Sequence, residues 1–262
     1  MRKNSERGYD IVGNIAIVKF ARGISAREKK RIALKLMKKH KEVRTVLEKS
    51  DRIKGRLRVG KTKFILGERT KEVLYRENGC VFRSNVDNCY FSPRLANDRK
   101  EVAGMVKKGE NVLVMFGGVA PYAIVIARNS KARKVVSVEL GKECCKYALE
   151  NVKRNKLEKR AEIAQGDVRR VVHKLREKFD RIVMARPNLK DSFLDVAFKA
   201  IRRWGVIHYH GFYLESEKDK MKRMILEEAR RAGKKIKILR VERAWEIGVR
   251  KFRYRVDLKI LN

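Results

Sequence analysis

Residues in the second half of the chain have the types and spacing needed to bind an adenosine-containing ligand. Each follows an apolar run, in the order Gly117 and Gly118, then Glu139, Asp167 and Pro187. Glycines permit a tight turn and let the backbone approach a ligand closely. A carboxylate has two acceptor oxygens, so Glu139 could bind both hydroxyls of a ribose. Asp167 could accept a hydrogen bond from an adenine amino group, and Pro187 marks the loop where a substrate would enter.

The order of these residues favours S-adenosylmethionine over a nicotinamide cofactor. A doubly wound parallel sheet would bring them together at the carboxyl ends of its strands, where ligands bind. The turn departs from the complete G-x-G-x-x-G motif of nicotinamide enzymes, since Ala120 takes the place of a third glycine. Each residue alone is a weak signal, because ordinary strand ends and helix caps use the same residue types.

Alternating strand and helix patterns predict the elements that hold these residues. We expect strands at 112–116, 135–140, 161–164, 179–184 and 205–213, and helices at 95–107, 142–155, 192–204 and 215–232. The stretch from Asn111 to Ala127 is predicted to be a strand, a glycine turn and a further helix that ends at Ala127. This alternation predicts a parallel sheet covered by helices. Two last strands, at 235–241 and 254–261, have no helix between them and predict an antiparallel edge.

The first part of the chain has a different pattern. It predicts one long strand or a strand pair at 11–20, a helix from Ser25 to His40, and a basic, half-buried strand within 55–67. The turn Asn78-Gly79 predicts a β-hairpin. We therefore expect a small α+β domain over residues 1–90 and an α/β domain over residues 91–262.

The charge indicates a polyanionic partner. The 262 residues include 68 Lys and Arg against 31 Asp and Glu, a formal net charge of +37. Such an excess on a globular chain is typical of nucleic-acid binding. No apolar run reaches membrane-spanning length, and the N-terminus has no signal-peptide core. The four cysteines form no C-x-x-C pair and the four histidines are scattered, so we expect no metal site. We also expect a reduced, cytoplasmic protein and a monomer.

Five sequence blocks resemble one family. They are FSPRL at 91–95, MFGGVAPYAI at 115–124, VSVELGKECCKYALENVKRNKL at 136–157, FDRIVMARP at 179–187 and GVIHYHGF at 205–212. These are similar to the tRNA guanine-37 N1-methyltransferases of archaea and eukaryotes and to their sister group, the aminocarboxypropyl transferases of wybutosine synthesis. The resemblance implies a Rossmann-like class I methyltransferase domain preceded by an RNA-facing domain. It also implies S-adenosylmethionine as cofactor and the tRNA anticodon loop, at base 37, as partner. Some members carry a further small N-terminal domain, which this chain is expected to lack.

The resemblance also implies roles for particular residues. Asp98 stands where the family has a glutamate proposed to remove the guanine N1 proton, and Arg94 and Pro187 lie in matching active-site segments. Arg58, or Arg56 in the alternative register, lies near another family arginine. The cofactor set comprises Phe116, Gly117, Gly118, Val119, Glu139, Leu140, Gly166, Asp167 and Val168.

Three departures from the family pattern keep alternatives open. Val114 replaces an acid, Ala120 a glycine, and Ala185 the asparagine of the N-x-P loop. Methyl transfer is the main prediction, and Arg94 favours it. One alternative is transfer of a 3-amino-3-carboxypropyl group to a wybutosine precursor on tRNA-Phe. The other is an RNA-binding protein that keeps the scaffold but has eroded catalysis.

Overall fold

The computed structural model describes residues 6–50 and 60–262, and Arg56 and Arg58 lie outside these residues. The chain divides into two compact units. The first comprises Met1–Glu77 and Val81–Pro93, and the second comprises Asn78–Cys80 and Arg94–Asn262. In the described residues, no helix is long and apolar enough to cross a membrane.

The first unit contains a four-stranded sheet in the order β1-β2-β3-β4. Its elements are β1 Glu6–Val12, β2 Ile15–Phe20, α1 Ala26–Lys39, β3 Thr45–Lys49 and β4 Thr62–Gly67. Strands β2 and β3 are parallel, and the other neighbours are antiparallel. The Ser25 hydroxyl caps α1 by accepting a hydrogen bond from the Glu28 amide, as its sequence position predicts.

A separate hairpin follows this sheet. Strands β5 Glu72–Glu77 and β6 Cys80–Asn85 are joined by Asn78 and Gly79, which both have positive φ angles, of 48° and 73°. This conformation is the one that Asn-Gly favours in two-residue hairpin turns, so the sequence signal identified the connection correctly.

The second unit is built on a seven-stranded sheet in the order β12-β13-β11-β10-β7-β8-β9. Its strands are β7 Asn111–Met115, β8 Lys134–Glu139, β9 Ala161–Gln165, β10 Phe179–Met184, β11 Ile201–Leu214, β12 Ile236–Gly248 and β13 Lys251–Ile260. Its helices are α2 Ala96–Gly104, α3 Pro121–Asn129, α4 Lys142–Arg154, α5 Val168–Lys174, α6 Leu194–Ala200 and α7 Lys218–Arg231. A short 3-10 turn, Pro93–Leu95, precedes α2.

Strands β7 to β11 are parallel, and β13 is antiparallel to both β11 and β12. The strand order reverses on either side of β7, since β8 lies on one side and β10 on the other. Ligands of doubly wound sheets bind at such a switch point, outside the carboxyl ends of the strands. The predicted α/β class and antiparallel edge are confirmed.

The two faces of this sheet differ in chemistry. One face packs against α5, α6 and α7 in an apolar cluster that includes Leu113, Met115, Ile182 and Tyr209. The opposite face carries buried polar residues from β11 and β13, because side chains alternate along a strand. His208 and His210 of β11 and Arg255 and Asp257 of β13 are all at least 97% buried there.

Several element boundaries differ from the predictions, most clearly at the end of α6 and in the last hairpin. The predicted helix at 192–204 ends at Ala200, and β11 begins at Ile201, earlier than expected. The last hairpin is longer than predicted, because β12 continues to Gly248. Its residues alternate irregularly between charged and apolar types, and three register shifts interrupt its pairing with β13. Bulges of this kind break the period-two pattern that identifies a strand from sequence.

Candidate active site

The chain leaves β7 through a tight left-handed turn. Phe116, Gly118 and Ala120 have φ angles of 63°, 56° and 66°, and Pro121 begins α3 immediately afterwards. Glycine adopts this conformation without steric strain, whereas alanine does so at a cost of about 1–2 kcal/mol. The left-handed φ angle of Ala120 explains why glycine would suit this position. The turn nevertheless forms with alanine there.

Gly117 allows this turn to approach the neighbouring strand. Its amide donates a hydrogen bond of 2.9 Å to the Val138 carbonyl oxygen of β8. A Cβ atom added at Gly117 would lie 2.1 Å from the Ser137 hydroxyl oxygen, which is far inside contact distance. Any side chain at position 117 would therefore require the Ser137 hydroxyl to move.

Glu139 fastens the glycine turn to the end of β8. One carboxylate oxygen accepts a hydrogen bond of 2.8 Å from the Gly118 amide, and the other accepts one of 2.7 Å from the Gly141 amide. Each oxygen keeps one further lone pair, and the side chain is half-buried. The carboxylate is thus fixed in position and still able to accept two donors, as a pair of ribose hydroxyls requires. Leu140, beside it, is 38% exposed.

The end of β9 lies against the same position. The Gly166 amide donates a hydrogen bond of 2.8 Å to the Glu139 carbonyl oxygen, and Gly166 has a φ angle of 139° that glycine tolerates. The half-buried Asp167 caps α5, accepting from the Arg169 amide at 2.9 Å. Direct hydrogen bonds to Glu139 therefore bring Gly118 and Gly166 together at this edge of the sheet. The side chains of Val119 and Val168 are buried in the core.

The loop after β10 is held by Arg186, which the sequence argument missed. The guanidinium donates to the Tyr209 hydroxyl at 3.1 Å, to the Asp191 carbonyl oxygen at 3.0 Å and to the Leu189 carbonyl oxygen. Arg186 is 97% buried. Pro187, between these contacts, is half-buried. Nothing in a strongly basic sequence distinguishes this arginine from its exposed neighbours, so only the fold reveals its role.

Asp98 lies in α2 at the centre of a buried polar cluster. One of its oxygens accepts a hydrogen bond from the Tyr122 hydroxyl, and the same oxygen lies 2.9 Å from His210 Nε2. The other accepts from Arg255 Nη1 at 2.5 Å. Asp98 is 4% exposed, and Arg255 also donates to Glu101 at 3.1 Å. Sequence reasoning selected Asp98 but none of these three partners, which come from α3, β11 and β13.

The cluster sets the protonation states of its members. Burial raises the pKa of the Asp98 carboxyl, but contacts with His210, Arg255 and Tyr122 outweigh burial and hold that pKa well below its usual range. Burial together with Asp98 raises the pKa of the Tyr122 hydroxyl well above its usual value. Asp98 is therefore an ionised carboxylate and a weak base.

The cluster reaches the loop after β10 and the opposite edge of the sheet. His210 Nδ1 lies 3.2 Å from the carbonyl oxygen of Met184, the last residue of β10. In the other direction, Arg255 Nε donates to Asp257 at 3.1 Å, and Asp257 lies 2.6 Å from His208 Nδ1. Burial lowers the pKa of both histidines, although their aspartate partners oppose this effect. These buried polar contacts thus connect α2, the end of β10 and the two strands β11 and β13.

Arg94, in the 3-10 turn before α2, is exposed, and its guanidinium carbon lies 5.2 Å from the centre of the Trp245 ring. The structure places this pair on the surface of the second unit, whereas Asp98 is buried. The arrangement can therefore bind an adenosine moiety at the carboxyl ends of β8 and β9 and can present cationic and aromatic groups to a second molecule. In the described residues, no group of His, Cys, Asp and Glu side chains could hold a metal ion.

Comparison with known proteins agrees with this geometry. Two family models match the chain, the TRM5/TYW2 methyltransferase domain over residues 73–239 and the TYW2 N-terminal domain over residues 1–70. The tRNA (guanine(37)-N(1))-methyltransferase Trm5b of Pyrococcus abyssi is 33% identical over 99% of this chain and 77% of its own length. Taw22 of Nanoarchaeum equitans, named as a tRNA (guanine(37)-N(1))/4-demethylwyosine(37)-methyltransferase, is 30% identical over 97% of this chain and 99% of its own length. A tRNA(Phe) (4-demethylwyosine(37)-C(7)) aminocarboxypropyltransferase of Methanocaldococcus jannaschii is 31% identical over 77% of each chain.

Solved structures show the same similarity. The crystal structure of Trm5b from Pyrococcus abyssi superposes with a TM-score of 0.87 over 98% of this chain and 76% of that one. A complex of aTrm5 with tRNALeu superposes with a TM-score of 0.85 at 25% identity, over 98% of this chain and 72% of that one. Trm5 of Methanocaldococcus jannaschii in complex with adenosine gives a TM-score of 0.82 at 25% identity, over 98% and 74% of the two chains.

Proposed function

The chain belongs to the TRM5/TYW2 methyltransferase family, and we propose that it transfers a methyl group from S-adenosylmethionine to N1 of guanine 37 in tRNA. It is an S-adenosylmethionine-dependent tRNA-modifying enzyme. The observation that most directly supports the proposal is the Glu139 carboxylate, fixed by the Gly118 and Gly141 amides at the switch point of the sheet. A binding protein without catalysis gains no support from the relatives, which are named as transferases.

We propose that the predicted cofactor residues hold S-adenosylmethionine as follows. The two remaining lone pairs of Glu139 accept the ribose hydroxyls, and Asp167 accepts the adenine amino group. The backbone of the turn from Phe116 to Val119 faces the methionine portion, with Leu140, Gly166 and Val168 completing the wall. When bound, the cofactor supplies an electrophilic methyl group on a positively charged sulfur. The protein then contributes chiefly by orienting the guanine.

Asp98 is proposed to receive the proton that leaves guanine N1, directly or through one water. Because both of its oxygens bind buried partners, one of these hydrogen bonds has to open before the proton can reach it. Because its pKa is depressed, this carboxylate accepts a proton only from an N1 that has itself become strongly acidic. Proton removal is therefore expected to accompany methyl transfer or to follow it. Arg94 and Pro187 are proposed to contact the RNA at the same edge of the sheet. Arg58, which lies outside the described residues, is also proposed to contact the RNA.

The first unit is proposed to bind tRNA as an RNA-facing domain over residues 1–90, with the catalytic domain over residues 91–262. Helix α1 carries a row of exposed cationic side chains opposite its buried face: Arg27, Lys30, Arg31, Lys35, Lys38 and Lys39. Cations on one helix face are typical of phosphate-backbone contacts. We further propose that the anticodon loop is the region bound and that the enzyme acts in the cytoplasm as a monomer without a metal.

One alternative reaction is favoured by a specific observation. The match of residues 1–70 to the TYW2 N-terminal domain, together with Ala185 in the N-x-P loop, favours transfer of the 3-amino-3-carboxypropyl group to a wybutosine precursor. The same cofactor would then be attacked at a different carbon. Trm5b, at 33% identity over nearly the whole chain, favours methyl transfer.

Primer extension tests the proposed reaction. Unmodified tRNA with guanine at position 37 is incubated with the enzyme and S-adenosylmethionine and then copied by reverse transcriptase. A methyl group on N1 occupies the pairing edge, so we expect a strong stop at position 37. The same tRNA with adenine at position 37 is the control. Complete read-through, with cofactor binding shown by calorimetry, would contradict methylation at N1.

A further inference from the structure

An exposed tryptophan lies on the last hairpin of the second unit. Trp245 of β12 is 38% exposed, and the exposed Arg94 covers part of its ring with a guanidinium carbon 5.2 Å from the ring centre. An indole is costly to leave in water, because it carries a large apolar surface. An exposed indole beside an exposed cation combines the two groups that stack on a nucleobase and contact its phosphate.

The position of Trp245 follows from strand register. Trp245 pairs with Arg253 of β13, and Arg253 pairs with Phe212 of β11. Phe212 lies beyond Tyr209, which is level with the last residue of β10, Met184. Trp245 is therefore at the carboxyl edge of the parallel strands. The loop that contains Pro187 leaves the sheet at the same edge.

A second, buried cation lies next to Trp245, on the paired strand β13. Arg253 is 95% buried, and its guanidinium carbon lies 5.3 Å from the centre of the Phe212 ring. Its Nε atom is buried and has no hydrogen-bond partner among the described residues. A guanidinium in this position makes the local potential positive. The surroundings therefore favour an anionic, aromatic ligand over an apolar protein segment.

We propose that Trp245 and Arg94 bind a nucleotide of the RNA loop next to the modified base, with its base on the indole and its phosphate on the guanidinium. This inference rests on the proposed function, since it assumes that the loop around base 37 reaches this edge. Unstacked bases of RNA loops are commonly held on aromatic side chains. Such stacking tolerates different bases, so the pair would position many tRNAs rather than select one.

The chain contains a matched control. Its only other tryptophan, Trp204, is 53% exposed, and the Arg203 guanidinium carbon lies 4.9 Å from its ring centre. Trp204 precedes Val206, which pairs with Arg181 early in β10, so it lies at the amino edge of the sheet. The two tryptophans thus share local chemistry but lie at opposite edges.

Tryptophan fluorescence tests the proposal directly. Trp204→Phe leaves Trp245 as the only tryptophan, and Trp245→Phe leaves Trp204. Titration with unmodified tRNA is expected to quench the emission of the Trp204→Phe variant strongly and to change that of the Trp245→Phe variant little. Trp245→Ala should raise the KM for tRNA roughly tenfold to hundredfold. The same variant should leave the affinity for S-adenosylmethionine unchanged. Trp204→Ala should change neither the KM for tRNA nor the affinity for S-adenosylmethionine. Trp245→Phe keeps an aromatic ring, so its KM for tRNA should lie much closer to that of the wild type.

The proposal is overturned if tRNA, bound as shown by filter retention, leaves Trp245 emission unchanged. It is also overturned if Trp245→Ala and Trp204→Ala have the same KM. Equal unfolding midpoints for the two alanine variants show that both are folded. Quenching of Trp245 emission without a methylated product would support the Trp245 site and contradict the proposed function. A methylated product with unchanged Trp245 emission would support the proposed function and contradict the Trp245 site.

Discussion

At the scale of single residues, the fold fixes the side chain of Glu139, the residue proposed to bind the ribose of the cofactor. Its two oxygens already bind the Gly118 and Gly141 amides, so the side chain is oriented before any ligand arrives. A preoriented acceptor loses little entropy on binding, which favours affinity.

Glu139→Gln is expected to weaken S-adenosylmethionine binding by roughly tenfold to hundredfold, as measured by calorimetry. The neutral amide has one acceptor oxygen in place of two, and hydrogen bonds to charged groups contribute about 1.5–3 kcal/mol. Glu143→Gln is the control, since Glu143 is exposed and pairs with Lys146 on the surface of α4. Equal affinities for the two variants would remove Glu139 from the cofactor site.

Asp98 has a structural role as well as its proposed chemical one. Asp98→Asn should lower the free energy of unfolding by about 1.5–3 kcal/mol, because it replaces the charged hydrogen bond to the buried Arg255, which keeps Asp257 and Glu101 as partners. It should also abolish methyl transfer in the folded fraction. Chemical denaturation measures the first effect, with the exposed Asp219→Asn as control. An unchanged unfolding midpoint would contradict the buried ion pair.

The same pair gives a pH dependence with a definite sign. The pKa of Asp98 is lowered on folding, so its contribution to stability is present above the unfolded pKa of about 3.9 and is lost as pH falls below it. The difference in unfolding free energy between wild type and Asp98→Asn should therefore be constant near neutral pH. It should shrink as the solution is acidified below about pH 4. A difference that grew on acidification would show that the sign is wrong.

Sequence identified some of these residues and missed others for a physical reason. Glu139 and Asp167 were found because strand ends are visible as the limits of apolar runs. His210, Arg255 and Arg186 were missed because their roles depend on partners distant in the chain, as the 157-residue separation of Arg255 and Asp98 shows. The catalytic and cofactor roles assigned to individual residues stay predictions.

At the scale of elements, the close approach of β7 and β8 determines the shape of the turn. Gly117 lies where a methyl group would meet the Ser137 hydroxyl at 2.1 Å, and its φ angle is outside the left-handed region. Alanine at this position is therefore disfavoured by its contact with the Ser137 hydroxyl and not by its backbone conformation.

Gly117→Ala should destabilise the protein by about 1–3 kcal/mol through overpacking and should weaken cofactor binding. The double variant Gly117→Ala with Ser137→Ala should recover much of both losses, because the remaining Ser137 Cβ would lie 3.4 Å from the new methyl group. Thermal unfolding and calorimetry measure this cycle, with Ser137→Ala alone as control. Additive losses in the double variant would contradict the proposed steric cause.

Element order was predictable and element ends were less so. Periodic apolar patterns gave β7 to β10, α3 and α4 nearly as they stand, since buried strands and helices repeat with fixed periods. The predicted end of α6 and the predicted length of β12 were wrong. In both places the pairing register is shifted, and pairing with a strand distant in sequence decides where the element stops. The seventeen-residue pattern from Asn111 to Ala127 was correctly interpreted as strand, turn and helix.

At the scale of the whole molecule, charge dominates the interaction with RNA. A net charge of +37 on 262 residues favours a polyanion over any small ligand. Affinity for tRNA is therefore expected to fall by roughly a thousandfold or more between about 50 and 200 mM salt, as measured by filter binding. The affinity for S-adenosylmethionine, measured by calorimetry, should change little over the same range of salt concentration. A flat salt response for tRNA would contradict an electrostatic RNA interface.

The central claim is methyl transfer to N1 of guanine 37, and mass spectrometry of the tRNA product tests it most directly. Two substrates are compared with the same enzyme and cofactor, a tRNA with unmodified guanine 37 and one with 4-demethylwyosine at that position. Each tRNA is digested to nucleosides, which are separated by chromatography, and their masses are measured. We predict that guanosine 37 gains the mass of one methyl group and matches authentic 1-methylguanosine. Unmodified guanosine, together with an aminocarboxypropyl adduct on the second substrate, would contradict the claim.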